Sequence, residues 1–73
     1  MDLNQIVGES IKTLRQGKKI SQENLAGIAE IDRRYIQSIE KGKRNMSLNS
    51  LYKISKALDV KMSEILENVE HEL

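Results

Sequence analysis

Residues 21–41 read SQENLAGIAEIDRRYIQSIEK. The stretch holds two short helical patterns joined by a tight break. Ser21 is suited to cap the first, because its hydroxyl can accept from free amides of the first turn. That helix is predicted over about Gln22 to Ala29, with Leu25, Ala26 and Ala29 inward and Ile28 off the stripe. Glu30-Ile31-Asp32 makes the turn, with Ile31 plugging the angle between the helices. Asp32 caps a second helix over about Arg33 to Lys41, with Ile36 and Ile39 inward and Gly42 as its stop. This is the layout of a helix-turn-helix, whose second helix enters the DNA major groove.

The flanking sequence reads as three more helices. Leu3, Ile6, Val7, Ile11 and Leu14 recur at helical spacing, which predicts a first helix over about Leu3 to Gln16. Ser47 caps a fourth over Leu48 to Leu58, with Leu48, Leu51, Ile54, Ala57 and Leu58 on its apolar face. Asp59-Val60-Lys61 interrupts, and a fifth runs over about Met62 to Glu70. No strand signal occurs. The expected fold is all-α: one compact five-helix domain over residues 1–73, with the helix-turn-helix at about 21–41.

Composition narrows the function classes. The chain has 73 residues, no cysteine and one histidine, so a disulfide framework, a thiolate zinc site and a histidine metal site are not expected. With no Phe or Trp the core must be aliphatic, and a core this small is marginal. No apolar run exceeds two residues, so no membrane span or leader is expected and the cytoplasm is the default location. Nothing resembles a paired nucleophile and base or a phosphate-cradling glycine loop, so no catalytic residue, cofactor or small-molecule ligand is expected. Glu64, Glu67, Glu70 and Glu72 read as a solvated acidic face.

Charge is unevenly spread. Net charge is only +1, yet Arg33 to Arg44 carries five basic residues against one acid. Arg33, Arg34, Gln37 and Ser38 occupy the side of the second motif helix opposite Ile36 and Ile39. Arg can donate two hydrogen bonds to guanine and Gln can pair with adenine, so these are candidates for base contact. The alternative is a solvated helix face, the usual fate of polar residues there. Gln22, at a helix start, and Lys43, Arg44 and Asn45, in the following loop, are candidates for phosphate contact. Tyr35 has two readings: its hydroxyl contacts the DNA backbone, or its ring covers the core. Arg15 and Glu40 are read as a bidentate structural pair, in preference to a phosphate contact by Arg15. Val60, Met62, Ile65, Leu66 and Val69 offer surplus apolar surface for a twofold contact, with core packing as the alternative.

SQENLA, then IDRRYIQSIEKGKRN, then SLNSLYKISKALDV resembles the phage-lambda-repressor-like helix-turn-helix superfamily. Within it, Ile31 to Asn45 is most similar to the controller proteins of restriction-modification systems. The resemblance implies a homodimer on a palindromic operator in double-stranded DNA beside its own gene. It implies activation of controller and endonuclease genes at one occupancy and repression at another, with RNA polymerase as a further partner. Dimerisation through the last helices is implied, as are base contacts at Arg33, Arg34 and Gln37. It also implies phosphate contacts at Gln22, Tyr35, Arg44 and Asn45 and an ion pair of Arg15 with Glu40. Two positions depart from the superfamily pattern. Glu30 stands where glycine is frequent, and would be strained by about 1–2 kcal/mol at positive φ. Arg34 stands where a small polar residue is expected.

Two other readings compete. A phage-type repressor or an antitoxin would use the same domain, and a co-purifying toxin would identify the latter. A protein-interaction module that kept the fold would carry an apolar or acidic face where this chain is basic and polar.

Overall fold

A computed structural model describes residues 2–72, and the backbone alone for Glu70 and Glu72. The helices are α1 (Leu3–Gly17), α2 (Gln22–Ala29), α3 (Arg33–Glu40), α4 (Leu48–Leu58), α5 (Met62–Leu66) and α6 (Val69–Glu72). The predicted fifth helix is thus divided at Glu67-Asn68 into α5 and α6. Glu67 itself keeps right-handed helical backbone, φ −54° and ψ −39°, so the interruption is mild. Among the described residues the fold is all-α.

Short side chains set the starts of α1 to α4. Ser21, Asp32 and Ser47 accept from Asn24 N (3.0 Å), Arg34 N (2.7 Å) and Ser50 N (3.0 Å). Helix α1 has a reciprocal cap that the sequence reading passed over. Gln5 N donates to Asp2 Oδ1 at 2.9 Å, and Asp2 N donates to Gln5 Oε1 at 3.0 Å. The D-x-x-Q spacing was its signal.

Four helix ends close in one way. Lys19, Glu30, Gly42 and Asp59 take φ values of 58°, 57°, 73° and 57°. In each case the next N–H reaches back five positions: Ile20 to Arg15 O, Ile31 to Ala26 O, Lys43 to Ser38 O and Val60 to Ser55 O, at 3.0–3.1 Å. These are Schellman closures, which favour glycine because a Cβ is crowded at positive φ. Only one of the four is glycine. Glu30 therefore does adopt the left-handed conformation.

The core is aliphatic: Ile6, Val7, Ile11, Leu25, Ala26, Ala29, Ile36, Ile39, Leu51, Ile54, Leu58 and Ile65 are buried. Helix α1 packs on α3, α5 and α6; α2 packs on α3 and α4; and α5 closes against α4. Gly8 lets α1 cross the end of α3, because a Cβ there would collide with the Ile39 carbonyl oxygen. Ser55 is buried in α4 with its hydroxyl donating to Tyr52 O at 2.7 Å.

Two apolar side chains assigned inward from periodicity lie outward: Leu3 and Leu48 are 49% and 76% exposed. Leu66, expected to offer surplus apolar surface, is 38% exposed. Ile65, expected on the twofold contact, is fully buried in its own core and has no surface to offer a partner. Val60, Met62 and Val69 are half-buried against that core. Ile28 is exposed, consistent with its place off the α2 stripe. Glu64 and Glu67 are exposed. The side chains of Glu70 and Glu72, the rest of the expected acidic face, lie outside the described residues.

Arg15 and Glu40 join α1 to α3. Arg15 Nε donates to Glu40 Oε2 at 2.7 Å and its Nη2 to Glu40 Oε1 at 3.0 Å. The side chains are only 11% and 3% exposed. Hydrogen bonding to Glu40 raises the Arg15 pKa, against the opposing effect of burial, so the guanidinium stays charged.

Two stability outcomes follow from this geometry. Glu30→Gly should raise stability by about 1 kcal/mol, removing positive-φ strain at a small cost in unfolded-chain entropy. Urea denaturation checks it, and a lowered midpoint contradicts the strain argument. Glu40→Ala should cost about 3–5 kcal/mol because it strands a buried cation, whereas Arg15→Met with Glu40→Leu should cost much less. A loss under about 1 kcal/mol for Glu40→Ala, the range of an exposed pair, contradicts the buried-pair account.

Candidate nucleic-acid interface

The sequence presents α3 with one apolar and one polar side. Ile36 and Ile39 are locked in the core, which turns the other side outward. Arg33 and Arg34 are exposed at its N-terminal end, and Gln37 and Ser38 are half-buried one turn on. Among the described residues none accepts a hydrogen bond from the side chains of Arg33, Arg34 or Gln37. Their donors are available to an external acceptor.

The outward side has two flanks. Arg33 and Gln37 share an open hollow with Arg15, Ser21, Gln22 and Glu23, at the start of α2. Arg34 and Tyr35 share another with Ile31, Asp32, Arg44 and Ser50, at the start of α4. The adjacent arginines therefore serve different sides of α3. Ser38 lies at its far end, where its carbonyl accepts from Lys43 N at 3.0 Å.

The candidate phosphate residues differ in how they are held. Gln22 Nε2 donates to Glu40 Oε1 at 3.0 Å, so one amide proton is committed to the ion pair and the other remains. The exposed Glu23 carboxylate beside it complements the helix dipole but opposes an incoming anion. Tyr35 is half-buried and packs against the core, and Arg44 stacks over its ring with the guanidinium carbon 5.0 Å from the centroid. Lys43 is exposed. Asn45 Oδ1 accepts from Asn4 Nδ2 at 2.7 Å, which fastens the loop after α3 to the first turn of α1. Arg15 spends all three guanidinium nitrogens within the fold, since Nη1 donates to Ile20 O at 2.8 Å.

Sequence reasoning missed Asn4, Leu3 and Leu48 as surface features. Leu3, Leu48 and Leu66 line one apolar groove of about 170 Å³ with Val7, Met46 and Leu51, and Arg44 forms part of its wall. The periodicity that Leu3 and Leu48 share with core residues hid this. The contact from Asn4 to Asn45 spans 41 residues and has no local signal. Among the described residues no group of His, Cys, Asp or Glu could hold a metal ion, and no helix is long and apolar enough to cross a membrane.

Comparison with known proteins agrees with this geometry. Residues 11–65 match the helix-turn-helix family. The control protein C.MunI from a Mycoplasma species is 46% identical over 66 residues, spanning 89% of each chain. The restriction-modification controller protein C.AhdI from Aeromonas hydrophila superposes with a TM-score of 0.84 at 37% identity, over 85% of this chain and 94% of that one. The controller C.Esp1396I, solved as a tetramer in complex with its natural 35 base-pair operator, superposes with a TM-score of 0.87 at 36% identity, over 99% and 95% of the two chains. The chain belongs to the helix-turn-helix family, and within it to the restriction-modification controller proteins.

Proposed function

We propose that this chain is a sequence-specific DNA-binding regulator that controls a restriction-modification system as a homodimer on a palindromic operator. One observation carries the reading. The free donors of Arg33, Arg34 and Gln37 stand on a helix whose roll is fixed by Ile36, Ile39 and the Glu40 ion pair. The relative C.Esp1396I, similar over nearly the whole chain, is seen on operator DNA, which supports it. Arg33 and Gln37 read base edges from the α2 side, and Arg34 and Ser38 lie along the other edge. Gln22, Tyr35, Lys43, Arg44 and Asn45 hold phosphates and set register. No catalytic role is assigned, and the site of action is the cytoplasm, with RNA polymerase as a further partner when transcription is activated.

Specificity calls for two copies, since one short helix reads only a few base pairs. A twofold pairing sets two recognition helices about 34 Å apart on one face of the duplex. Val60, Met62, Leu66 and Val69 contribute to that contact, but Ile65 does not. Leu48, the most exposed large apolar side chain among the described residues, lies in the same apolar groove as Leu66 and extends the contact toward the basic loop.

Selection from a random duplex library, at a stated salt concentration, is expected to enrich an inverted repeat. Arg33→Ala should weaken binding by about 1–3 kcal/mol and relax preference at one position of each half-site. An equal loss on every sequence would make Arg33 a phosphate contact. Sedimentation of the wild type at tens of micromolar, about the range of common self-association constants, should show a dimer, and Leu48→Asp should shift it to monomer. A wild type that stays monomeric there contradicts the twofold reading.

A further inference from the structure

The first turn of α1 is held against the basic loop by two separate contacts. Asn4 Nδ2 donates to Asn45 Oδ1 at 2.7 Å. One residue on, Gln5 lies under Gly42, where an added Cβ would come within 2.8 Å of Gln5 Cγ and 2.9 Å of Gln5 Cα. The Asp2–Gln5 cap fixes the turn that carries both contacts. On the loop's other side Arg44 is stacked on Tyr35. Asn45 therefore sits in a loop clamped at both flanks, with its side chain exposed.

An Asn side chain has one end that only accepts and one that only donates. A phosphate oxygen takes donors only. Because Asn4 donates to the oxygen end of Asn45, and no described residue accepts from its amide nitrogen, both N–H groups remain available to an external acceptor. We propose that Asn4 is a positioning residue for phosphate recognition: it sets the polarity of the Asn45 amide so that the donor end meets the DNA backbone. The inference rests on the DNA-binding reading above and adds a residue outside the helix-turn-helix to the recognition machinery.

A double-mutant cycle on the selected operator tests it, with urea midpoints measured for every variant. Asn45→Ala should weaken binding about tenfold, the size of one hydrogen bond to a charged group, and by the same factor on operator variants. Asn4→Ala should weaken it less, and the double variant should bind no worse than Asn45→Ala. Asn4→Asp should be worse than Asn4→Ala, because its carboxylate accepts from the Asn45 nitrogen and turns the oxygen toward the phosphate. That excess should vanish when Asn45 is Ala, whereas plain charge repulsion would persist there. Losses that multiply in the double variant, or undiminished binding by Asn4→Ala or Asn45→Ala, overturn the proposal while leaving the DNA-binding reading intact. A wild-type chain that enriches no duplex overturns that reading, and this inference with it.

Discussion

Three helices meet on one carboxylate. Glu40, at the end of α3, accepts two hydrogen bonds from Arg15 of α1 and one from Gln22 of α2. Arg15 also donates to Ile20 O, just before α2 begins. In a domain with little apolar surface to bury, directional contacts of this kind fix what loose packing leaves open. The pair determines how α3 is rolled on α1, and the roll determines that Arg33, Arg34 and Gln37 point outward. Taking two charges out of water is expensive, so the arrangement stabilises little compared with a well-packed apolar substitute. Its consequence is orientation: Ile36 and Ile39 cannot leave the core without breaking it.

The same economy shows in the backbone. Six helical segments among the described residues require abrupt ends, and four ends use a left-handed residue although three of those residues have side chains. Such strain persists only where the surroundings over-determine it. At Glu30 they do, because the turn must place Ile31 against the core and Asp32 at the cap of α3 within two residues. Gly8 removes a side chain so that α1 can rest on the Ile39 carbonyl. With that much strain and that small a core, a second copy covering Leu48 and Leu66 would add stability as well as a second reading head.

Local features were legible in the sequence. Ser21, Asp32 and Ser47 cap helices because cap chemistry acts within three residues. Ile36, Ile39, Ile54 and Leu58 are buried because their spacing matches the helical period. Features that depend on what faces a stripe were not legible. Leu3 and Leu48 follow the period of core residues yet open onto solvent, since periodicity says which residues share a side and not whether the chain supplies something to cover it. Ile65 was misassigned for the converse reason, as adjacent Ile65 and Leu66 divide between core and surface. The polar side of α3 was readable residue by residue. The attachment of Gln22 to Glu40 and of Asn45 to Asn4 was not, because both depend on helix crossings that only the fold creates.

The central claim is that α3, held by Glu40, is the surface that meets DNA. Backbone amide NMR during titration of the chain with its selected duplex tests it most directly. The account requires the largest shifts at Gln22, Arg33 to Ser38 and Lys43 to Asn45, with Ile28 and Tyr52 unaffected. Shifts centred on Ile28 and Tyr52, with α3 unmoved, would contradict it.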